Sequence, residues 1–315
     1  MASGQIVGAA VDLGSISVHL LVASVAGHRL RPLVDESIFL GLGSAIADSG
    51  YLGRAARGRL VTALAAYAAT ARGLGATAIT FIGTEPIRRA ADGSTIVHEV
   101  RSATGLPLHV LSHEEEAYLT IIGVTEGLPV RRETLVVDIG GGSSEFCIVD
   151  PIHRPRAAGL RLGAALLTDR FVAHDPPTLT EIQAMRRAAN EAVRAAPEGH
   201  PEEIVAVGGT ASNLLKLIPE AILDRTLTRE RIALGLAMLK TESAAAASQH
   251  HSINPKRARL LPAGAAIMDA ILVRYGVDGL RVSEAGIREG TILAVEHGGP
   301  AWRDHLVVLA HGWRG

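Results

Sequence analysis

The sequence predicts an α/β protein of two domains that share a duplicated topology. Two observations support this prediction: apolar strand patterns alternate with helical patterns along both halves, and a strand–turn–strand motif occurs twice. In the first copy, an apolar strand at residues 6–12 leads into Gly14 and Ser15. In the second copy, a strand at residues 135–138 leads into a turn at residues 140–144. The aspartates that end the two strands lie 126 residues apart (138 minus 12), which indicates a duplicated unit.

Each half carries its own series of helices and strands. In the first half, Ser112 stands three positions before Glu115, which is the spacing of a capping box at a helix start. A Gly-Leu-Pro break at residues 127–129 indicates a boundary, so we predict one domain over residues 1–128 and a second over 129–315. The patterns predict helices over residues 51–74, 92–104, 114–126, 179–196, 210–217, 229–248, 258–275 and 287–296, and further strands over 78–83, 108–111, 204–207 and 280–283.

The composition excludes several classes of protein. The 31 basic and 32 acidic residues give a formal net charge of −1, which argues against a chain that coats nucleic acid or an anionic membrane. Cys147 is the only cysteine, so no intramolecular disulfide forms. No apolar stretch approaches the roughly 18 residues of a membrane span, and the N-terminus lacks the pattern of a signal peptide. We therefore predict a cytoplasmic protein that binds neither nucleic acid nor a membrane.

Three glycine-containing turns, each after an apolar strand, are candidates for phosphate binding. The segments that contain them begin at Asp12, Asp138 and Gly208. Glycine lets backbone N–H groups converge on an anion, and serine or threonine adds a hydroxyl donor. The spacing matches neither the P-loop nor the dinucleotide fingerprint. Asp12 and Asp138 stand where a carboxylate either holds Mg²⁺ near a phosphate or caps the turn, and the sequence alone leaves both interpretations open.

Charged side chains near these turns are candidates for the chemistry. Glu114, Glu115 and Glu116 open a helix, where they either stabilise its positive end or provide one general base, and spacing does not choose among them. Glu145 follows the triple-glycine turn among apolar residues, so it either binds a metal or an oriented water or lies at a solvent-facing edge. Arg88 suits bidentate phosphate contact, although a solvated surface position is the commoner explanation for any single arginine.

Together these motifs resemble the Ppx/GppA phosphatases, which are exopolyphosphatases and guanosine pentaphosphate phosphohydrolases. The resemblance runs from about residue 6 to residue 296, in the family's order and approximate spacing. Its most specific parts are the Glu-Glu-Ala helix start at residues 115–117 and the Asp-Ile-Gly-Gly-Gly-Ser-Ser-Glu segment at residues 138–145. Further matching segments are residues 12–17, 83–88, 208–210 and 283–290.

The resemblance implies an actin-like, ribonuclease H-like fold, in the short form whose two duplicated domains close over a cleft. It implies that Glu116 is the general base and that Glu145 positions water or metal. With the strand-end position of Asp138, this predicts Mg²⁺, or alternatively Mn²⁺, held by Asp138 and Glu145. The phosphate-binding residues that we predict are Asp12, Gly14, Ser15, Ser17, Arg88, Gly140, Gly141, Gly142, Ser143, Ser144, Gly208, Gly209 and Thr210.

Three positions depart from the family's pattern. Ile16 stands where asparagine is usual, which removes a polar contact at the first turn. Glu85 interrupts a stretch that usually reads Thr-Ser-Ala-Leu-Arg, and it adds negative charge where an anion would lie unless it faces away or binds a cation. His113 stands where glycine is common before the acids. These departures bear on the substrate more than on the fold.

The predicted function is Mg²⁺-dependent hydrolysis of a phosphoanhydride. The substrate is inorganic polyphosphate, cut from its end, or the related guanosine pentaphosphate. One alternative is a kinase of the same fold, which the lack of an acceptor-binding motif disfavours. The other is a non-catalytic sensor of polyphosphate or guanosine alarmones, against which the presence of both Glu116 and Glu145 argues. Alanine-rich helices in the second half would allow a homodimer.

Overall fold

The computed structural model describes residues 6–47 and 49–313, which form two compact units. Unit 1 combines the chain up to residue 129 with the chain from residue 285 onward. Unit 2 is the continuous stretch from residue 130 to residue 284. The ends of the predicted domains at residues 1–5 and 314–315 lie outside the described residues. No helix within the described ranges is long and apolar enough to cross a membrane.

Unit 1 is built on a mixed sheet of five strands. They are β1 (Ile6–Leu13), β2 (Ser17–Ala26), β3 (Arg29–Phe39), β4 (Ala78–Gly83) and β5 (Leu108–Val110). Their order across the sheet is β3-β2-β1-β4-β5. The first three form an antiparallel meander, whereas β4 and β5 run parallel to β1. This arrangement places the end of β1 in the centre of the sheet, beside the end of β4.

Among the described residues before the boundary, five helices accompany this sheet. They are α1 (Leu42–Ala47), α2 (Arg54–Gly73), α3 (Glu85–Arg89), α4 (Gly93–Thr104) and α5 (His113–Thr125). The buried residues of α2 recur at spacings of three and four, which is the pattern of a helix with one face on the core. They join the side chains of β1, β2 and β4 in one apolar cluster.

Unit 2 contains a mixed sheet of six strands. They are β6 (Thr134–Ile139), β7 (Ser144–Val149), β8 (Arg156–Leu160), β9 (Glu203–Val207), β10 (Thr226–Thr228) and β11 (Gly279–Val282). The order is β10-β11-β9-β6-β7-β8. Strands β6, β7 and β8 form an antiparallel meander, and β9 runs parallel to β6. Unit 2 therefore repeats the meander and parallel neighbour of unit 1, which confirms the predicted duplicated α/β topology.

Eight α-helices belong to unit 2, with a short 3₁₀-helix at Val193–Ala195. The predicted helix over residues 229–248 is two helices, because Ser243 caps a new helix by accepting a hydrogen bond from the Ala246 N–H. The helices are α6 (Ala164–Phe171), α7 (Leu179–Ala192), α8 (Gly209–Leu215), α9 (Pro219–Asp224), α10 (Arg229–Leu239), α11 (Ala244–His250), α12 (Pro255–Ala258) and α13 (Leu261–Tyr275).

The C-terminal segment returns to unit 1, which corrects the predicted second domain at 129–315. It forms α14 (Ile287–Gly298), a 3₁₀-helix (Gly299–His305) and α15 (Leu306–His311). Helix α14 crosses α5 so closely that a Cβ atom on Gly290 would lie 1.7 Å from the carbonyl oxygen of Leu119. A Cβ atom on Gly123 would lie 1.9 Å from the carbonyl oxygen of Gly286. Glycine on both helices permits this packing, and it holds the C-terminal segment against unit 1.

Candidate active site

The turns after β1 and β6 have the same backbone hydrogen bond. In unit 1 the Gly14 N–H donates to the carbonyl oxygen of Ser17 at 3.1 Å, and in unit 2 the Gly140 N–H donates to that of Ser143 at 3.0 Å. Both pairs are separated by the 126 residues that separate the two aspartates, since 140 minus 14 and 143 minus 17 give the same value. The predicted repeat is therefore present in the geometry of the turns.

Helix α6 fixes the triple-glycine turn of unit 2 from one side. The carbonyl oxygen of Gly140 accepts a hydrogen bond from the Ala164 N–H, and that of Gly141 accepts one from the Ala165 N–H, both at 2.9 Å. In a planar trans peptide the carbonyl and the following N–H point in opposite directions. The N–H groups of Gly141 and Gly142 therefore point away from α6, as donors to an anion on the other side of the turn.

The approach of α6 to this turn depends on Gly163 and involves Ser144. A Cβ atom on Gly163 would lie 2.2 Å from the carbonyl oxygen of Gly141, so only glycine fits there. The Ser144 hydroxyl is buried and donates to the carbonyl oxygen of Leu162 at 2.5 Å. In this structure Ser144, a predicted phosphate ligand, thus uses its only hydroxyl proton to hold the turn.

Asp138 and Glu145 face each other across β6 and β7, as directly opposed residues of the antiparallel pair. Opposed residues lie on the same face of a sheet, with Cβ atoms about 5 Å apart. Glu145 is only 4% exposed, so two carboxylates share one shielded face beside the triple-glycine turn. Like charges in this position repel, and a cation relieves the repulsion. Carboxylate oxygens are also the ligands that hard divalent cations prefer, so the pair is a candidate metal-binding group.

The third turn lies against Asp138. Gly208 has φ +94°, and a Cβ atom on it would lie 2.8 Å from Asp138 Oδ1. A Cβ atom on Gly209 would lie 1.9 Å from Arg257 Nη1, so the guanidinium rests on the backbone at the start of α8. Partial burial lowers the pKa of Arg257 below its usual value. The structure thus brings Asp138, Gly208 and Gly209 together and adds Arg257, which no predicted motif contains.

The first turn of unit 1 is tied in a similar way but carries different side chains. The carbonyl oxygen of Ser15 accepts a hydrogen bond from the Gly43 N–H at 2.8 Å, at the start of α1. The Ser15 hydroxyl donates to Glu85 Oε2 at 3.1 Å. Asp12 is opposite His19 in the register of β1 and β2, and His19 Nε2 lies 2.6 Å from the Ser17 hydroxyl. His19 therefore occupies the position in unit 1 that Glu145 occupies in unit 2, since both stand opposite the strand-end aspartate.

The start of α5 separates the three consecutive glutamates into different environments. The predicted capping box is confirmed: Ser112 accepts a hydrogen bond from the Glu115 N–H, and the Glu115 carboxylate accepts one from the Ser112 N–H. Burial opposes ionisation of Glu115, but hydrogen bonds from Arg303 and Ser112 outweigh it and lower its pKa. Glu114 is exposed, whereas Glu116 is 5% exposed. Burial therefore distinguishes Glu116, which sequence spacing could not do.

Arg88 holds Glu116. Its Nη1 group forms an ion pair with Glu116 Oε1 and donates to the carbonyl oxygen of Leu111 at 2.6 Å. Its Nη2 group donates to the ring of His113, 3.0 Å from Nδ1. The guanidinium fixes the orientation of the carboxylate. Arg88 is predicted to bind phosphate, and the structure also gives it a carboxylate partner within unit 1.

The fold and these half-sites define a class of protein with an actin-like, ribonuclease H-like fold whose duplicated turns suit phosphate. The chain belongs to the Ppx/GppA phosphatase family, since the model of that family matches residues 21–298. It is therefore a hydrolase of the phosphatase type.

Two curated relatives match nearly the whole chain. The protein is 27% identical over 297 residues to "Exopolyphosphatase 1" of Mycobacterium tuberculosis, a match that covers 90% of this chain and 86% of the relative. It is 30% identical over 311 residues to an uncharacterized protein of Streptomyces coelicolor, with coverage of 94% and 92%.

A solved structure shows the same architecture. The crystal structure of the Ppx/GppA family member of Aquifex aeolicus superposes with a TM-score of 0.81 at 25% identity. That match covers 94% of this chain and 99% of the Aquifex chain. The predicted family and the predicted fold are confirmed.

Proposed function

We propose that this protein is an exopolyphosphatase, which cleaves the terminal phosphoanhydride bond of inorganic polyphosphate and releases orthophosphate. The observation that carries the proposal is the facing pair of Asp138 and Glu145 beside the triple-glycine turn. Backbone donors for a phosphate and carboxylates for a cation occur there side by side, which is the combination that phosphoryl transfer requires. The names of the mycobacterial relatives agree with this activity.

Asp138 and Glu145 would hold Mg²⁺, because their oxygens form a hard ligand set on one face of the sheet. When bound, the ion neutralises charge on the phosphate oxygens. The N–H groups of Gly141 and Gly142 would bind the terminal phosphate, and the third turn at residues 208–210 would hold the neighbouring one. These contacts orient the phosphorus atom for attack and stabilise the charge that develops in the transition state.

Glu116 would act as the general base. A water molecule attacks the terminal phosphorus atom and gives a proton to the Glu116 carboxylate, while the bridging P–O bond breaks. The bond electrons remain on the shortened polyphosphate, and orthophosphate leaves with the oxygen of the water. Arg88 would orient Glu116 for this role, because the ion pair fixes the direction of the carboxylate.

The test replaces Glu116 with glutamine and measures orthophosphate release from polyphosphate in Mg²⁺. We expect kcat to fall by about 10²- to 10⁴-fold, because general base catalysis contributes that much. The matched control is Glu114→Gln, which removes the same charge from the exposed neighbour and should leave kcat within about twofold. A wild-type rate in the folded Glu116→Gln variant would exclude Glu116 as the base.

Guanosine pentaphosphate is the alternative substrate, because it also ends in a phosphoanhydride. A panel of polyphosphates of several lengths and guanosine pentaphosphate, assayed with Mg²⁺ and then with a chelator, separates the two substrates by kcat/KM. Binding without phosphate release under all of these conditions would instead identify a sensor. Activity that survives complete chelation would contradict the metal requirement.

A further inference from the structure

The junction between β4 and α3 carries a buried anion directly beside the first turn of unit 1 (residues 14–17). The Thr84 hydroxyl donates to the carbonyl oxygen of Leu13 at 2.9 Å, which fixes the start of α3 to the end of β1. Glu85, the first residue of α3, is only 5% exposed. Its Oε2 atom accepts the hydrogen bond from the Ser15 hydroxyl. The carboxylate thus lies against the turn that was expected to receive a phosphate.

The counter-charge of this carboxylate lies on one of its two oxygens. Arg89 Nη1 donates to Glu85 Oε1 at 2.7 Å, so a cation is attached to the other carboxylate oxygen. The Arg89 side chain is 37% exposed, whereas that of Glu85 is 7% exposed. Water screens the exposed partner more strongly than the buried one. Arg89 contacts Oε1, whereas the oxygen that contacts the first turn is Oε2, so a phosphate that approached this turn would meet the negative charge of the carboxylate first.

The same contact removes a hydrogen-bond donor. A serine hydroxyl has one proton, and Ser15 gives it to Glu85. The following residue, Ile16, adds no polar group. In unit 2 the corresponding junction is different, because the first residue of α8 is Gly209 and the Arg257 guanidinium rests on it. One junction therefore presents an anion and the other a cation.

We propose that Glu85 is a specificity-determining residue, which weakens phosphate binding at the first turn and so disfavours long, highly charged phosphate chains. The proposal rests on the function proposed above, because it concerns phosphate groups of the same substrate. The substrate class that fits is a phosphoanhydride with few phosphate groups, such as tripolyphosphate. The KM for polyphosphate then falls little with increasing chain length in the wild type.

The experiment compares two variants that change the local charge in opposite directions. Glu85→Gln removes the buried negative charge and should lower the KM for long-chain polyphosphate by about fivefold, with a smaller effect for tripolyphosphate. Arg89→Gln removes the compensating positive charge and should raise the same KM. Both effects should shrink as salt rises from 50 to 300 mM (roughly 14 to 6 Å in Debye length). Glu36→Gln, an exposed acid of the same unit, controls for the change in net charge.

Opposite changes of KM in the two variants distinguish this role from a structural one, because a loss of packing would change the KM of both variants in the same direction. An unchanged or raised KM in Glu85→Gln would overturn the proposal. If Glu85→Gln does not fold, Arg89→Gln decides, and an unchanged KM there is the contradicting result. If the wild type releases no phosphate, the proposed function fails. Calorimetric binding of tripolyphosphate and long-chain polyphosphate to the same variants then tests the role of Glu85 independently of catalysis.

Discussion

The turns after β1 and β6 share the same backbone hydrogen-bond pattern but differ in their side-chain chemistry. Each begins with a glycine N–H bound to a serine carbonyl three residues later, and each is held by the helix that follows the third strand of its meander. Opposite the strand-end aspartate, however, unit 2 has Glu145 and unit 1 has His19. The duplicated scaffold therefore fixes where side chains stand, whereas substitution decides which copy presents two facing carboxylates.

The largest expected difference between the copies is catalytic. Glu145→Gln should lower kcat for polyphosphate by about 10²-fold or more, because the facing carboxylate pair is lost. The repeat-equivalent His19→Gln should lower kcat by less than about fivefold, because unit 1 has only one carboxylate at this position. The effects of both substitutions are measured by the rate of phosphate release and by the Mg²⁺ concentration that gives the half-maximal rate. Equal losses of kcat in the two variants would contradict the expected difference between the two units.

A smaller difference concerns the helices that hold the turns. A Cβ atom on Gly163 would lie 2.2 Å from a backbone oxygen of Gly141, whereas a Cβ atom on Gly43 would lie 2.9 Å from the Ser15 Cβ atom. Gly163→Ala should therefore destabilise by about 3 kcal/mol and Gly43→Ala by about 1 kcal/mol. Denaturant unfolding measures both values. The reverse order of the two losses would show that α1, rather than α6, packs more tightly on its turn.

The smallest expected effect concerns the stability that the capping box at the start of α7 contributes at acid pH. Burial opposes ionisation of Glu181 at the start of α7, but hydrogen bonds from His174 and Thr178 outweigh it and lower its pKa to about 2. An acid whose pKa is lower in the folded protein stabilises the fold at a pH above its pKa in the unfolded chain. That contribution is lost as the pH falls toward the folded-state pKa of about 2. Glu181→Gln should lower the melting temperature at pH 7 and flatten its decline between pH 4.5 and 2. An unaltered pH dependence would contradict this.

Local features of the site were predictable from the sequence, and contacts between distant segments were not. Strand-end aspartates followed by glycine turns carry their own signal, as does the capping box of Ser112 and Glu115. Helices α1 and α6 were missed, because they have only 6 and 8 residues, which is too short for a helical period to stand out. The partner of Arg88 depends on how α3 meets α5, and no local pattern encodes that.

The division of the chain shows the same limit. The return of residues 285–313 to unit 1 depends on Gly123 and Gly290, which permit the close crossing of α5 and α14. Each glycine by itself is an ordinary residue within a helix. Their pairing across more than 160 positions of sequence (290 minus 123) is visible only in three dimensions.

That return has a consequence for synthesis on the ribosome. Unit 2 is uninterrupted and can complete its core as soon as residue 284 has emerged. Unit 1 starts first but waits for α14, so the face of α5 on which α14 packs stays uncovered while the whole inserted unit is translated. The N-terminal unit of a nascent chain is thus the last of the two to complete its packing, although its synthesis begins first.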